Sequence, residues 1–311
     1  MAYKFKETAK IPERISGGHR MCAGCGAPVT VRTVLRAIEP EHRAVISVAT
    51  GCLEVSTCIY PYTSWEDSFI HSAFENAAAT ISGAESAYRV LKAKGKAGEE
   101  TKFIAFGGDG GTYDIGLQSL SGAMERGHNM TYVCYDNEAY MNTGIQRSSS
   151  TPMYANTTTS PVGEVRAGKI QFKKDLTMIM AAHNIPYVAQ SAPYRNMKDL
   201  YEKSKKAIYT DGPAFLNVIS PCPRGWRYDT PKLMEIIGLA IDSCIWPLYE
   251  VENGKFRLTH RPNKKVPVRE YLKMQGRFSH LLNGNYENHI DEIQAMVDER
   301  WERLLELCGE N

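Results

Sequence analysis

Residues 102–116 read KFIAFGGDGGTYDIG, and residues 130–137 read MTYVCYDN. Each stretch begins with a short apolar run that is typical of a buried strand. Between them, Tyr113 to Arg126 carries apolar residues at roughly helical spacing. The order strand, glycine-rich loop, helix, strand predicts a parallel α/β unit. In such a unit Asp109 and Asn137 follow the carboxyl ends of two strands, where parallel sheets bind their ligands.

Asp109 and Asn137 offer the hard oxygen ligands that Mg²⁺ prefers, usually together with the phosphates of a bound molecule. The glycines around Asp109 lack side chains, so their backbone N–H groups can approach a diphosphate. An ordinary strand-to-helix turn is the alternative interpretation of a Gly-Asp-Gly triplet. The arrangement resembles the diphosphate–Mg²⁺ motif of thiamine diphosphate (ThDP) enzymes, in which such a triplet precedes an Asn at a similar distance.

Composition excludes several classes of protein. The chain has 311 residues with 37 Lys and Arg against 35 Asp and Glu, so its net charge of +2 indicates neither nucleic-acid nor membrane binding. It contains no apolar run of roughly 18 residues, the length of a membrane-spanning helix. The N-terminal stretch is polar and lacks the apolar core of a secretory signal, which predicts a cytoplasmic protein. Eight cysteines in such a chain suggest metal or redox chemistry.

The cysteine pattern predicts one metal-binding group. HRMCAGCG at 19–26 places two thiols three positions apart, and two further cysteines follow predicted strands. A zinc half-site or a thioredoxin-like dithiol is the alternative for the close pair. A zinc ribbon would need a second close pair, and a thioredoxin motif should open a helix after a strand. Four thiolates can complete a [4Fe–4S] cluster, and the candidates are Cys22, Cys25, Cys52 and Cys222.

The remaining cysteines are predicted to be structural. Cys134 lies within a predicted strand, Cys244 on the apolar face of a predicted helix, and Cys308 in the last turn of the C-terminal helix. Cys58, six residues past Cys52, is the least certain of the set.

Alternating helices and strands continue through residue 222 and predict a doubly wound, mostly parallel α/β sheet with helices on both faces. Ile70 to Lys94 is interpreted as one long helix, with His71 at its start either facing the site or lying on the surface. The polar loop after Asn137 is long enough to be functional. Leu248 to Leu258 is a predicted hairpin with an Asn-Gly turn.

These elements suggest an arm at 1–18, an α/β domain at 19–245 that binds ThDP and the cluster, and a C-terminal hairpin and helix extension at 246–311.

Nearly the whole chain resembles the β subunit of multi-subunit pyruvate:ferredoxin oxidoreductases, in the 2-oxoacid:ferredoxin oxidoreductase family. One departure is RSSSTP at 147–152, where pyruvate members are closer to RSGATP. The matching stretches are HRMCAGCGAP (19–28), ATGCLEVST (49–57), YPYTSW (60–65), HSAFENAAA (71–79), GGDGGTYDIG (107–116), NTGIQRS (142–148), TTTSPVG (157–163), SPCPRGW (220–226) and WPLYEVENGK (246–255).

The resemblance implies roles for individual residues. Asp109, Asn137 and the carbonyl of Ala139 would bind Mg²⁺, and the four candidate cysteines would bind one [4Fe–4S] cluster next to ThDP. Asn142 would reach the reacting centre as a catalytic residue. The resemblance further implies contacts to ThDP from Gly51, Cys52, His71, Gly108, Asp109, Gly110, Gly111, Asn137, Asn142 and Thr143.

The resemblance also implies partners and a reaction. The α subunit would bind the pyrimidine end of ThDP and supply its glutamate, with γ and ferredoxin-like δ subunits, or fusions of these, completing the enzyme. Pyruvate, coenzyme A and ferredoxin would be its substrates. Oxalate, 2-oxoglutarate or a branched 2-oxoacid are alternative substrates, and oxalate would need no coenzyme A. An Fe–S electron-transfer subunit without ThDP is the alternative from another class, against which Asp109 and Asn137 argue.

Overall fold

An eight-stranded sheet forms the centre of the protein, and the computed structural model describes residues 3–283 and 286–310. Across the sheet the strands lie in the order β2-β1-β3-β4-β6-β5-β7-β8. Strands β1 to β6 pair in parallel, whereas β7 and β8 are antiparallel, so the mostly parallel α/β prediction is confirmed. The strands are β1 (Arg43–Ala49), β2 (Ser68–Ser72), β3 (Thr101–Gly108), β4 (Thr131–Asp136), β5 (Tyr187–Ser191), β6 (Ala214–Ile219), β7 (Tyr249–Glu252) and β8 (Lys255–Leu258).

Helices cover both faces of the sheet. Helices α2 and α7 pack on one face, and α4, α5, α6, α9, α10 and α12 pack on the other. Within the described ranges, no helix combines the length and apolar character that crossing a membrane requires. The α-helices are α1 (Phe5–Thr8), α2 (Gly26–Leu35), α3 (Cys52–Thr57), α4 (Ala77–Ala93), α5 (Leu117–Glu125), α6 (Leu176–Ala181), α7 (Lys198–Tyr209), α8 (Pro223–Trp226), α9 (Leu233–Asp242), α10 (Val268–Lys273), α11 (Ser279–Leu282) and α12 (Asn288–Cys308).

The central strands are buried on both sides, which explains their continuous apolar sequences. In β4, Tyr132 and Cys134 join the core on one face of the sheet, while Val133 and Tyr135 join the core on the other. This alternation follows from the two-residue period of a strand. Cys134 is fully buried in β4, in agreement with its predicted structural role.

The order of the strands reverses between β1 and β3. From β1 the chain goes to β2 on one side, and then returns through α4 to β3 on the other side. The two crossover connections therefore leave β1 and β3 in opposite directions and open a crevice at their carboxyl ends. In doubly wound folds, this is where ligands bind.

The C-terminal segment completes the sheet and then covers one of its faces. The predicted hairpin is present as β7 and β8, and Asn253 and Gly254 take the positive φ angles of 49° and 77° that a two-residue hairpin turn needs. Strand β7 pairs with β5 in antiparallel fashion. Beyond the hairpin, α10 and α12 bury Tyr271 and Trp301 in the main core.

Two helix predictions need correction. The segment interpreted as a helix from Ile70 starts as strand β2, which pairs with β1 in parallel register, and α4 begins only at Ala77. The backbone hydrogen bonds that β1 offers at the sheet edge outweigh the weak helical pattern of these residues. The helix predicted from Tyr113 is a π-helical segment at Gly110–Ile115 followed by α5. Local π-helices of this kind are frequent at functional sites.

Candidate active site

A cleft lies at the carboxyl ends of β1, β3 and β4, at the reversal of strand order. Each of the three strands continues into a loop that forms one wall. The loop after β1 also starts α3, and the loop after β3 starts the π-helical segment. The lining residues are Thr50, Gly51, Cys52, Phe74, Gly108, Asp109, Gly110, Gly111, Tyr135, Asn137, Ala139, Tyr140, Met141, Asn142 and Thr143.

The cleft brings together every predicted cofactor-binding residue except His71. That residue lies in strand β2 at the edge of the sheet, with a partly exposed side chain. Its Nε2 is 2.9 Å from the hydroxyl of Thr50 and 3.6 Å from a carboxylate oxygen of Glu54. His71 therefore contacts a wall of the cleft through Thr50 and does not line the cleft itself.

Sequence reasoning missed several residues of the lining, of which Tyr140 and Phe74 have the clearest effect. The Tyr140 hydroxyl donates to the carbonyl of Gly110 at 2.9 Å. A Cβ atom at Gly110 would lie 2.3 Å from the Tyr140 ring, and one at Gly111 would lie 2.8 Å from the Phe74 carbonyl oxygen. A side chain at either position would therefore displace Tyr140 or Phe74, so the close packing of these two residues requires glycine here.

Three oxygen-bearing groups converge at the base of the cleft. One terminal atom of the Asn137 amide lies 2.9 Å from Asp109 Oδ1 and 2.8 Å from the Ala139 carbonyl oxygen. With the nitrogen in that position, the amide donates to both oxygens. With the oxygen there, three oxygens face one another, which a cation between them would stabilise. The donor set thus fits a hard cation such as Mg²⁺.

Asp109 is fully buried and strongly constrained. Its burial and then the nearby charge of Asp136 raise the pKa of the Asp109 carboxyl well above its usual value. The Ser148 hydroxyl donates to Asp109 Oδ2 at 2.5 Å, and the Asn137 backbone N–H donates to Oδ1 at 3.3 Å. These contacts orient the carboxylate toward the cleft, where a cation would compensate its charge.

The hydroxyl-rich loop after Asn137 packs behind these oxygens. The Ser150 hydroxyl donates to Asp136 Oδ1 at 2.5 Å, and the Thr151 hydroxyl donates to the Glu138 carbonyl at 2.7 Å. The loop supports the cleft from beneath, and of its serines and threonines only Thr143 lines the cleft itself.

The four candidate cysteines lie on loops that fold against one another. The Gly26 N–H donates to the Pro221 carbonyl at 2.9 Å, and the Tyr228 hydroxyl donates to the Gly24 carbonyl at 2.6 Å, so the CxxC loop contacts the loop of Cys222. Burial raises the pKa of the Cys25 thiol to about 12, with contributions from Cys222, Cys52 and Cys22. The thiols of Cys22, Cys52 and Cys222 are thus close enough to Cys25 for their charges to affect it.

Cys52 connects the group of four cysteines to the cleft. It lines the cleft after β1, and burial raises its pKa to about 12 with contributions from Cys222, Cys22 and Asp109. Within residues 3–283 and 286–310, no group of three or more Cys, His, Asp or Glu side chains has the spacing needed to bind a single metal ion. A [4Fe–4S] cluster binds its four thiolates on four different iron atoms, so it needs a wider spacing than one ion does.

Cys58 lies at the opposite end of α3 from Cys52. It follows the last residue of α3, whereas Cys52 begins that helix. Burial raises its pKa, and Glu54 contributes to the shift.

Asn142 and Thr143 form the outer rim of the cleft. Both side chains are exposed, and the Thr143 hydroxyl is 2.5 Å from the side-chain oxygen of Gln146. The Gly144 N–H donates to the Met141 carbonyl at 3.3 Å and closes the turn. Asn142 is therefore an exposed residue of the cleft lining.

Residues 49–218 match the family described as thiamine pyrophosphate enzyme, C-terminal TPP binding domain. Among solved structures, a 2-oxoglutarate:ferredoxin oxidoreductase from Magnetococcus marinus has a TM-score of 0.57 and 23% sequence identity. The match covers 76% of this chain and 80% of that one. At this level of identity the structural match supports the fold alone.

Curated relatives match the chain over almost its full length. Pyruvate synthase subunit PorB of Thermotoga maritima is 56% identical over 297 residues, covering 94% of this chain and 91% of the relative. The subunit of the same name from Methanocaldococcus jannaschii is 54% identical, covering 94% and 96%. Ketoisovalerate oxidoreductase subunit VorB of Pyrococcus furiosus is 41% identical, covering 98% and 96%.

Proposed function

The chain belongs to the 2-oxoacid:ferredoxin oxidoreductase family, as a relative of pyruvate synthase subunit PorB, and we propose that it is the catalytic β subunit of a pyruvate:ferredoxin oxidoreductase. In this role it would bind the diphosphate of ThDP through Mg²⁺ and hold one [4Fe–4S] cluster. The proposed reaction converts pyruvate, coenzyme A and oxidised ferredoxin into acetyl-CoA, CO₂ and reduced ferredoxin.

The position of Cys52 carries this proposal. The residue lines the cleft that contains Asp109, and it also belongs to the group of Cys22, Cys25 and Cys222. An organic cofactor in the cleft and a cluster on the thiols would therefore be neighbours. Such proximity is what a reaction that passes electrons from a carbon centre to ferredoxin requires.

The residues at the base of the cleft have the chemistry for holding the diphosphate end of ThDP. Asp109, Asn137 and the carbonyl of Ala139 would bind Mg²⁺, because the Asn137 amide lies within 2.9 Å of Asp109 Oδ1 and 2.8 Å of the Ala139 carbonyl oxygen and can turn its oxygen toward a cation between them. The backbone N–H groups at Gly110 and Gly111 would bind phosphate oxygens. With the diphosphate and Mg²⁺ bound at the base, the rim of the cleft would remain open for the substrate.

Bound ThDP supplies the carbanion chemistry for decarboxylating a 2-oxoacid. The protein's part is to orient the substrate and to stabilise charge that develops on it. Asn142 at the rim can donate a hydrogen bond to the substrate's carbonyl oxygen as negative charge develops there. The group of four cysteines that includes Cys52 lies on the path that electrons would take out of the cleft.

Pyruvate is favoured as the substrate because the pyruvate synthase subunits are more similar to this chain than the ketoisovalerate subunit is.

The subunit names imply partners. We propose an α subunit that binds the pyrimidine end of ThDP, together with γ and ferredoxin-like δ subunits or fusions of these. All eight cysteines are free of disulfides, which suits a cytoplasmic location.

A substrate panel on the complete complex tests the proposal. Pyruvate, oxalate, 2-oxoglutarate and a branched 2-oxoacid are supplied in turn, with and without coenzyme A, and reduction of a viologen dye is followed. We expect reduction with pyruvate that depends on coenzyme A. Reduction with oxalate alone, or with another 2-oxoacid but not pyruvate, would contradict the proposed substrate.

The Asp109→Ala complex is the matched control for cofactor binding. It should lose both ThDP and Mg²⁺ but keep its iron, since the two sites use different side chains. Asn137→Ala should weaken ThDP binding less, because it removes a neutral ligand instead of a charged one. Full occupancy by ThDP in Asp109→Ala would contradict the assignment of Asp109 as a ligand, whereas no thiamine in the purified wild-type complex would favour an Fe–S electron-transfer subunit.

A further inference from the structure

A buried ion network lies directly beneath the loop that carries Asn137 and Ala139. The Lys173 ammonium is 2.8 Å from Asp136 Oδ2 and 2.9 Å from Glu138 Oε1. The guanidinium of Arg277 pairs with the second carboxylate oxygen of Glu138. Glu138 is only 4% exposed and Arg277 only 2%. Charges this deeply buried are tolerated only when they are paired and hydrogen-bonded.

Glu138 occupies an unusual backbone position. Its φ angle is 68°, in the left-handed region that residues other than glycine seldom adopt. The strain is opposed on both sides, because the Glu138 N–H donates to Asp136 Oδ1 at 3.0 Å and its carbonyl accepts from Thr151 at 2.7 Å. The turn at Glu138 brings the side-chain amide of Asn137 within 2.8 Å of the Ala139 carbonyl oxygen.

Arg277 reaches the same loop by a second route. Its guanidinium lies 4.1 Å from the centre of the Trp226 ring, and Trp226 Nε1 donates to the carbonyl of Asn137 at 2.7 Å. Gln275 holds the guanidinium in place through contacts of 2.9 and 2.7 Å. One side chain from the C-terminal segment thus restrains both Asn137 and Glu138.

We propose that Glu138 and Arg277 are positioning residues for the cation site, and that they hold the strained turn that aims Asn137 and Ala139 at Asp109. The inference rests on the proposed function, because it assumes that this site binds Mg²⁺ for ThDP. Neither residue lines the cleft. Each acts through its neighbours, and partners of metal ligands typically change metal affinity by about 10–100-fold when they are removed.

The test uses the complete complex carrying Glu138→Gln, Arg277→Met or both substitutions. The readout is the Mg²⁺ concentration that gives half-maximal retention of ThDP, alongside iron content and thermal stability. We expect each variant to need about 10-fold more Mg²⁺, with iron unchanged and turnover at saturating Mg²⁺ close to normal. Each single variant removes one charge from the balanced network of Asp136, Glu138, Lys173 and Arg277 and leaves a net buried charge, so it should also be less stable.

The double variant separates positioning from simple stabilisation. It removes both charges, so its thermal stability should recover relative to the single variants, while its Mg²⁺ requirement stays raised because the turn has lost its restraint. A normal Mg²⁺ requirement in the double variant would overturn the proposal.

Two controls complete the experiment. The buried Lys203 pairs with the partly buried Asp199 at 2.9 Å, on α7 and away from the cleft. Lys203→Met should lower stability and leave the Mg²⁺ requirement unchanged. Asp109→Ala reports on the cation site itself, so ThDP binding that is insensitive to Asp109→Ala would contradict the proposed function. Sensitivity to Asp109→Ala combined with wild-type behaviour of the Glu138 and Arg277 variants would contradict the inference alone.

Discussion

Single residues of the cleft divide into those that would hold the cofactor and those that would meet the substrate. Asp109 and Asn137 lie at its base, where burial strengthens electrostatic interactions. Asn142 lies at the exposed rim, five residues beyond Asn137. This separation lets substitutions at the rim be distinguished from substitutions at the base by measuring cofactor content and turnover independently.

Asn142→Ala should keep ThDP and iron but lose most activity. Losing one hydrogen-bond donor to a developing negative charge typically lowers turnover about 10²–10³-fold. Turnover of the complex and its cofactor content are measured together, with Thr143→Ala as the neighbouring comparison. If Asn142 merely stabilises the turn before Gly144, the variant would instead lose stability and keep near-normal turnover.

The ends of helices and strands position most of the candidate residues of this site. The loops that begin α3 and α8 bring Cys52 and Cys222 to the CxxC loop, and α3 separates Cys52 from Cys58 along its length. The carboxyl ends of β1 and β6 therefore supply one thiol each. A cluster bound here would tie three separated segments of the chain together, as structural metal sites generally do.

Iron and acid-labile sulfide should fall sharply in single Cys→Ala variants of the four grouped cysteines. Cys58→Ala is the matched control within the same segment, and it should keep the full iron content because its thiol lies at the opposite end of α3 from Cys52. Both elements are measured per chain in anaerobically purified complex. Loss of iron in Cys58→Ala with retention in Cys52→Ala would show that the proposed ligand set is wrong.

The whole molecule presents only part of a ThDP site. Among the described residues that line the cleft there is no glutamate to contact the aminopyrimidine ring. Glu138, the nearest in sequence, is buried in ion pairs with Lys173 and Arg277. Under the proposed function, a partner subunit would supply this group from the open side of the cleft.

The purified single chain should accordingly be inactive. It can offer Mg²⁺ ligands and thiols, but without a glutamate on the aminopyrimidine the cofactor stays unactivated. Release of CO₂ from pyruvate is measured for the chain alone and after addition of its partner subunits, and activity should appear only in the second case. Decarboxylation by the chain alone would contradict the division of the site between subunits.

Helix and strand positions followed well from local patterns where the chain is buried on both faces. The apolar runs before Asp109 and Asn137 are β3 and β4, and the Asn-Gly turn forms the hairpin of β7 and β8. The segment at Ile70 was predicted incorrectly, since pairing with β1 is a long-range contact. The residue pattern of a five-residue edge strand does not show which distant strand it will pair with.

The sequence alone was enough to predict the chemistry proposed for this site, because that chemistry depends on residue types at short spacings. Neighbouring glycines and predicted strand ends point to Asp109 and Asn137, and the three-position spacing of the thiols points to the CxxC cysteines. Only the tertiary structure decided what holds them in place. Glu138 and Arg277 are 139 positions apart in the sequence, and no local pattern relates them. Their pairing arises because burial makes an unpaired charge costly, which is a property of the folded interior and not of the neighbouring sequence.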